Sequence, residues 1–252
     1  MDTVLKSVAA YGKKAKWKYI EMREWPEIPD QPVSMDYFGH SLDLTRPEDV
    51  IFRHFRESTR RNIKKAEKEG VSTNISTSSE ALEQFCRMNL LTRKKHGLPP
   101  QPERFFRKVQ EHVISKGLGN IALASYKGCT IAGSVFFHFG NKAIFKYGAF
   151  DKTYQHLRAS NLVLWEGIRW HQKNGYSNMS FGRTELQNKG LRQFKAGWGA
   201  VERKINYYRY DLRTDAFVRG EQKISGFHNI IFSHMPDPLL KLSGELLYRH
   251  MG

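Results

Sequence analysis

Cysteine is scarce in this chain. The only two cysteines, Cys86 and Cys129, lie far apart, and neither belongs to a CxxC motif or to a Cys/His pattern with metal-ligand spacing. A disulfide framework and a structural zinc site are therefore not expected. So few thiols are typical of a protein from a reducing compartment.

Long apolar runs are also missing. No stretch approaches the ~20 apolar residues that a membrane-spanning helix requires. Near the N-terminus, the short apolar run at 8–11 is followed at once by lysines, so the sequence predicts no secretory signal peptide. Together with the low cysteine content, these absences predict a cytoplasmic protein.

Acidic residues are few compared with basic ones. The chain has 41 Lys and Arg against 25 Asp and Glu, a net charge of +16 and a pI of about 9.8. Such an excess favours an anionic partner: nucleic acid, a phosphorylated metabolite or an acidic membrane surface. Hydrophobic residues make up 40% of the chain, which is enough to build a core.

Three apolar segments, 121–126, 130–139 and 143–150, are separated by Lys127-Gly128 and Gly140-Asn141. These separators have the chemistry of hairpin turns and predict antiparallel strands. From Val71 onward, periodicity predicts the order β-α-α-β-β-β-α-β-α-β. This order fits a mixed, partly antiparallel sheet with helices on both faces.

The rest of the chain shows simpler patterns. Residues 3–15 predict a helix, 17–23 a strand, and the proline-rich stretch 26–32 a loop. Residues 51–69 predict a single helix that ends at Gly70, and 237–250 predict an amphipathic helix.

The helix predicted at 51–69 is unusually basic. Arg56, Arg60, Lys64 and Lys68 recur every four residues and form one ridge. Such a ridge suits a phosphate backbone, although a solvated helix face has the same pattern. The candidate nucleic-acid-binding residues are Arg56, Arg60, Arg61, Lys64, Lys65 and Lys68.

The predicted strand 143–150 carries Lys146 and Tyr147 at its centre. A lysine buried in a central strand requires an anionic partner, so Lys146 is a candidate substrate-binding residue. An edge strand with an exposed lysine is the alternative. Tyr147 suits a substrate-orienting hydroxyl if it faces a cleft, and a core tyrosine otherwise.

Further candidates follow the next strand. In Phe181-Gly182-Arg183-Thr184, an arginine stands at a strand end, where it can bind a carboxylate or phosphate or form a structural ion pair. Trp198 lies between two glycines, which permit close backbone approach around its ring. Lys195, judged from the pattern alone, is an ordinary surface lysine.

Other chemistries lack their motifs. The sequence has no GxSxG, HExxH or Walker-type loop, and its ten histidines show no ligand spacing. No metal site is predicted.

Taken together, several stretches resemble the Fem-type aminoacyltransferases that build peptidoglycan interpeptide bridges, in the FemAB-like branch of the GNAT superfamily. The resemblance covers roughly residues 40–210. The stretches that carry it are 58–71, 92–99, 146–149, 164–166 and 181–199.

The resemblance implies tandem GNAT-like domains. Residues 1–50 would be part of a first domain, 51–70 a basic connecting helix, 71–215 the acyltransferase domain and 216–252 a tail with a possible amphipathic helix. Family members usually carry about another half-domain upstream, so the chain is expected to be short at its N-terminus.

The resemblance also bears on the donor. GNAT enzymes hold the pyrophosphate of acyl-CoA at a glycine-rich turn before the central helix. The equivalent stretch here, 154–161, has no glycine, so side chains would crowd those phosphates. Fem-type enzymes use aminoacyl-tRNA instead, which fits a cationic chain. Neither donor is a resident cofactor, and none is expected.

By similarity, Lys195 would stabilise the oxyanion or leaving group when an acceptor amine attacks an acyl ester. The substrate-binding candidates are Lys146, Tyr147, Arg183 and Trp198. The leading hypothesis is acyl or aminoacyl transfer to an amine of a cell-envelope precursor, at or near the inner face of the cell membrane. The alternatives are an acetyl-CoA-dependent N-acetyltransferase and an inactive, basic RNA- or membrane-binding module.

Overall fold

A computed structural model describes residues 3–220 and 228–248. The helices are α1 Thr3–Lys14, α2 Glu48–His54, α3 Glu57–Lys68, α4 Ser79–Lys95, α5 Glu103–His112, α6 Ala159–Lys173, α7 Lys189–Ala196, α8 His228–His234 and α9 Asp237–Leu247. The strands are β1 Tyr19–Arg23, β2 Met35–Asp43, β3 Ser72–Ser76, β4 Gly119–Tyr126, β5 Cys129–Phe139, β6 Lys142–Phe150, β7 Asn178–Glu185, β8 Val201–Asp211 and β9 Ala216–Val218. No helix in these described ranges is long and apolar enough to cross a membrane.

The described residues divide into two compact units. The larger unit contains residues 41–182, 194–201 and 228–248, and the smaller unit contains 3–40, 183–193 and 202–220. The predicted domain boundaries after residues 50, 70 and 215 stay a prediction.

The sheet of the larger unit has the strand order β7-β6-β5-β4-β3. Strands β3 to β6 pair antiparallel, with Ile121 opposite Val135 between β4 and β5, whereas β6 and β7 pair parallel. Alternate residues of these strands enter two different cores. Ala122 and Phe136 pack with α3 and α6, while Leu123 packs with α4 and α5. The predicted mixed, partly antiparallel sheet with helices on both faces is confirmed.

In the smaller unit, β8 lies between β1 and β2, and β9 pairs with the end of β8. β1 is antiparallel to β8, with Tyr19 opposite Asp211. Helix α1 contributes Leu5 and Ala9 to a small core with Tyr208 and Tyr210.

The element order predicted from Val71 is confirmed, but the single helix predicted at 51–69 is wrong. The helix is broken at Phe55 and Arg56, whose backbones are extended with ψ near 145°. The break lets Phe55 turn inward, where its ring contacts Trp165 and Trp198. Sequence analysis also missed β2. At the start of α4, the side chain of Ser78 makes the capping bond, accepting from the N–H of Ala81.

Candidate active site

The strands β6 and β7 position the candidate site. Their parallel pairing runs from Lys142 and Asn178 to Ile144 and Ser180, and it covers only the first residues of each strand. Beyond Ser180, β7 continues to Glu185 without further pairing to β6. Binding groups in α/β folds commonly lie at the carboxyl ends of such strands.

Lys195 reaches this end of β7. Its Nζ donates a hydrogen bond to the carbonyl oxygen of Gly182 at 3.0 Å, and the residue is only 4% exposed. Burial lowers the pKa of Lys195 to about 8, because a charged amine loses hydration inside the protein. The interpretation of Lys195 as a surface lysine is therefore wrong. The structure holds a buried amine whose charge changes near physiological pH.

The turn after α7 fixes the position of Lys195. Trp198 is buried in that turn, and its ring meets the ring of Phe55 edge-to-face with centroids 5.0 Å apart. Gly199 has a φ of +68°, and a Cβ there would lie 3.3 Å from the carbonyl oxygen of His54, so a side chain at this position would be strained. Trp198 anchors the turn through packing. Its contact with a substrate stays a prediction.

The basic helix α3 begins beside the same turn. The backbone N–H of Arg56 donates to the carbonyl oxygen of Gly197 at 2.9 Å. From there α3 extends over 12 residues, which corresponds to about 18 Å. The start of α3 therefore contacts Gly197, which lies two residues along the chain from Lys195.

The basic side chains of α3 are mostly exposed. Arg56, Arg61, Lys64, Lys65 and Lys68 are exposed, and Arg60 is half-buried. Within residues 3–220 and 228–248, no carboxylate forms an ion pair with any of them. The ridge therefore keeps its charge for an anionic partner, although binding of nucleic acid stays a prediction.

Arg183 belongs to the smaller unit. Its guanidinium donates to the hydroxyl of Tyr207 at 2.9 Å and lies over the rings of Tyr37 and Tyr207, 5.0 Å and 5.5 Å from their centroids. These contacts hold Arg183 through aromatic rings as well as a hydrogen bond. Its predicted role in binding an acceptor stays a prediction.

Lys146 and Tyr147 have different surroundings from those of Lys195. Val135 pairs with Tyr147 and Phe136 with Phe145, so Lys146 is the extra residue of a β-bulge. Lys146 is exposed, and the argument that β6 buries its charge is wrong. Tyr147 packs in the core formed with α4 and α5, and burial raises the pKa of its hydroxyl. Binding of a substrate by either residue stays a prediction.

Comparison with known proteins decides the family. The acetyltransferase (GNAT) domain profile matches residues 53–196. The chain belongs to the GNAT acetyltransferase-domain family. This membership confirms the predicted acyltransferase class. No curated protein matches the sequence significantly.

Solved structures share the GNAT fold of this chain at low sequence identity. FemX superposes with a TM-score of 0.66 and 12% identity, over 81% of this chain and 75% of FemX. L-PGS from Bacillus licheniformis gives a TM-score of 0.52 and 14% identity, over 97% and 71% of the two chains. The C-terminal domain of a putative lysylphosphatidylglycerol synthetase from Agrobacterium fabrum gives 0.52 and 11%, over 77% and 62%. The fold expected from the FemAB-like resemblance is confirmed.

Sequence analysis of this GNAT chain missed the partners of its candidate residues. Tyr37 lies on β2, whose residues 35–43 do not alternate regularly between apolar and polar and follow a proline-rich loop, so the sequence carries only a weak strand signal there. Tyr248, which hydrogen-bonds Tyr147, lies far away in the chain and carries no local signal. Over the described residues, no three His, Cys, Asp or Glu side chains lie close enough together to hold a metal ion.

Proposed function

We propose that this GNAT chain transfers an aminoacyl group from aminoacyl-tRNA to an amine of a cell-envelope precursor. The observation that carries the proposal is the link between Lys195 and α3. A buried amine lies two residues from Gly197, whose carbonyl oxygen accepts a bond from Arg56 at the start of the basic helix. In this proposal, Lys195 acts on the ester and the basic ridge of α3 binds the phosphates of the donor.

The proposed step is aminolysis of an ester. The acceptor nitrogen attacks the aminoacyl carbonyl, a C–N bond forms, and the C–O bond to the terminal ribose of the tRNA breaks as the amine gives up a proton. Negative charge develops on oxygen during this step, and a nearby cation stabilises it. Lys195, protonated below its pKa of about 8, supplies that cation.

Two features favour tRNA over acyl-CoA as the donor. The exposed Lys and Arg side chains of α3 extend for about 18 Å, which suits consecutive phosphates of a nucleic-acid strand. Directly before α6, where acyl-CoA enzymes have glycine, the N-cap residue is Arg158, with a φ of +60°. That side chain leaves less room for a pyrophosphate.

The acceptor class is proposed from the fold relatives. FemX and a putative lysylphosphatidylglycerol synthetase share this fold, and the name of the second describes an aminoacylated lipid. A cell-envelope precursor at the inner face of the membrane would meet cytoplasmic aminoacyl-tRNA there. Contact with the anionic membrane surface is part of the proposal.

The decisive experiment is mass spectrometry of acceptor mixtures after incubation with charged tRNA or with acetyl-CoA. We expect a mass increase of one aminoacyl group with tRNA and none with acetyl-CoA. Lys195→Met should lower the rate about 100-fold or more, as loss of an oxyanion-stabilising group does elsewhere. Lys189→Met, on the exposed part of the same helix, is the matched control and should leave the rate unchanged.

Two other outcomes would replace the proposal. Acetyl transfer, which the family description favours, would show a conventional N-acetyltransferase. Salt-dependent tRNA binding that survives Lys195→Ala, with no transfer from either donor, would show a basic binding module without activity.

A further inference from the structure

An apolar surface is exposed along α1 and the turn that follows it. Val4, Val8 and Tyr11 recur at i, i+4 and i+7 on one face of α1, and Val4 and Tyr11 are 58% and 63% exposed. Trp17, also exposed, packs edge-to-face on Tyr11 with ring centroids 5.4 Å apart. We call these four residues, Val4, Val8, Tyr11 and Trp17, the α1 surface.

The α1 surface is separate from the face that holds the helix to the sheet. Leu5, Ala9 and Gly12 are the buried residues of α1. A Cβ at Gly12 would lie 2.9 Å from Leu212 and 2.8 Å from Trp17, so the helix approaches both closely at this point. Packing of α1 against its own sheet is therefore complete without Val4, Val8 and Tyr11.

The turn after α1 holds Trp17 in its exposed position. The N–H of Trp17 donates to Gly12 and the N–H of Lys16 donates to Lys13, which is the bonding pattern of a Schellman motif. Lys16 stands at the left-handed position with a φ of +56°, where glycine is usual. Lys16 therefore adopts a conformation that is unfavourable for a lysine, and the turn it forms leaves the indole of Trp17 exposed to solvent.

The charge of this segment selects the partner. Residues 3–20 contain five lysines and no aspartate or glutamate. Lys13 pairs with Asp215, whereas no ion pair in the described part of the chain involves Lys14, Lys16 or Lys18. Exposed aliphatic and aromatic side chains beside unpaired lysines are typical of segments that lie on anionic bilayers. The two exposed valines favour lipid over RNA as the partner, because RNA bases stack on aromatic rings and not on aliphatic side chains.

A second apolar ridge lies on α9, but its charges do not point to an anionic surface. Leu239, Leu242 and Leu246 are exposed there. The neighbouring ion pairs join Lys94 to Asp237, Lys241 to Glu103 and Arg104 to Glu245, so the surroundings are neutralised. The α9 ridge therefore serves as the comparison surface.

We infer that the α1 surface docks this chain on an anionic lipid bilayer, with Tyr11 and Trp17 at the headgroup level and the adjacent lysines on lipid phosphates. The α1 surface makes the membrane contact on which the proposed function rests, whichever group the chain transfers.

The test is co-sedimentation of the 252-residue chain with vesicles of phosphatidylglycerol and phosphatidylcholine in equal amounts, and with pure phosphatidylcholine. We expect binding to the first and little to the second. The double variant Tyr11→Ser, Trp17→Ser should bind about 10-fold or more weakly, because each ring loses its apolar burial. Lys14→Gln, Lys16→Gln, Lys18→Gln should weaken binding about 100-fold at low salt.

The controls remove equally exposed apolar groups elsewhere. Phe139→Ser, at a position 80% exposed, and Leu242→Ser on the α9 ridge should bind like the parent chain. Unchanged binding of the Tyr11, Trp17 variant, or binding lost only with Leu242→Ser, would overturn the inference. Trp17-dependent binding of single-stranded RNA, without binding of vesicles, would also overturn the inference. Transfer to a water-soluble acceptor, measured in parallel, tests the proposed function separately.

Discussion

Lys195 is 4% exposed, and burial lowers its pKa to about 8 from the 10.5 of a lysine in water. Between these values the unfolded chain binds a proton that the folded chain has released. Stability therefore rises as pH increases through this window, since the unfolded state binds more protons there. Below pH 8 the folded chain carries the cost of a buried charge.

Relative to Lys195→Met, the parent chain should gain up to about 3 kcal/mol of unfolding free energy between pH 8 and pH 10.5. Urea unfolding at a series of pH values measures the difference between the two proteins, in which other titrating groups cancel. Lys189→Met, at an exposed position, should show no such trend. A difference that stays constant with pH would show that Lys195 is not desolvated.

For single residues, the sequence and its family resemblance identify Lys195 as the candidate but do not predict its surroundings. Lys195 was selected through a family resemblance, because a lysine near the end of a short helix is normally exposed. Its burial depends on how Trp198 packs against Phe55, which is distant in the sequence. For Lys146 the opposite error arose, since a bulge in β6 cannot be seen in an alternating pattern.

The contact between α6 and β5 contains a buried histidine pair. His171 Nδ1 lies 2.7 Å from the carbonyl oxygen of Gly167, and His171 Nε2 lies 3.2 Å from His138 Nδ1. Burial lowers the pKa of His171 to about 4 and also lowers that of His138. Both folded values lie below the 6.5 of a free histidine. Stability from this pair is present above pH 6.5 and is lost as pH falls toward 4.

Between pH 7 and pH 5, His171 alone should cost the fold about 2 kcal/mol, because the unfolded chain takes up a proton and the folded chain does not. Urea unfolding at both pH values measures this loss. His171→Phe should remove most of the difference, whatever its stability at pH 7. His156→Gln, at an exposed site, should keep it. An equal loss in the His171→Phe variant would contradict the assignment.

Elements with strong local signals were predicted well. The hairpins at Lys127-Gly128 and Gly140-Asn141 have left-handed residues where the turns require them, and β4, β5 and β6 follow as predicted. The break between α2 and α3 was missed, because the helical pattern continues through Phe55 and only tertiary packing of its ring interrupts it.

The whole molecule carries a net charge of +16, and such a charge alone attracts any polyanion. General attraction and specific contact by α3 predict different results when charge is removed at different places. Lys64→Gln, Lys65→Gln, Lys68→Gln removes three charges from α3. Lys116→Gln, Lys142→Gln, Lys152→Gln removes three from exposed sites elsewhere. The two variants have the same net charge.

If α3 contacts the tRNA backbone, only the α3 variant should change the slope of log affinity against log salt concentration, by about 2–3. The slope changes because binding releases fewer counterions when phosphate contacts are lost. If the net charge governs binding, both variants should weaken it by a similar factor with similar slopes. Fluorescence anisotropy of labelled tRNA measures the affinity between roughly 50 and 200 mM salt, the range over which phosphate contacts make binding strongly salt-dependent. Equal slopes for both variants would move the donor site away from α3, and the adjacency of Arg56 to the turn after Lys195 would then have only a structural meaning.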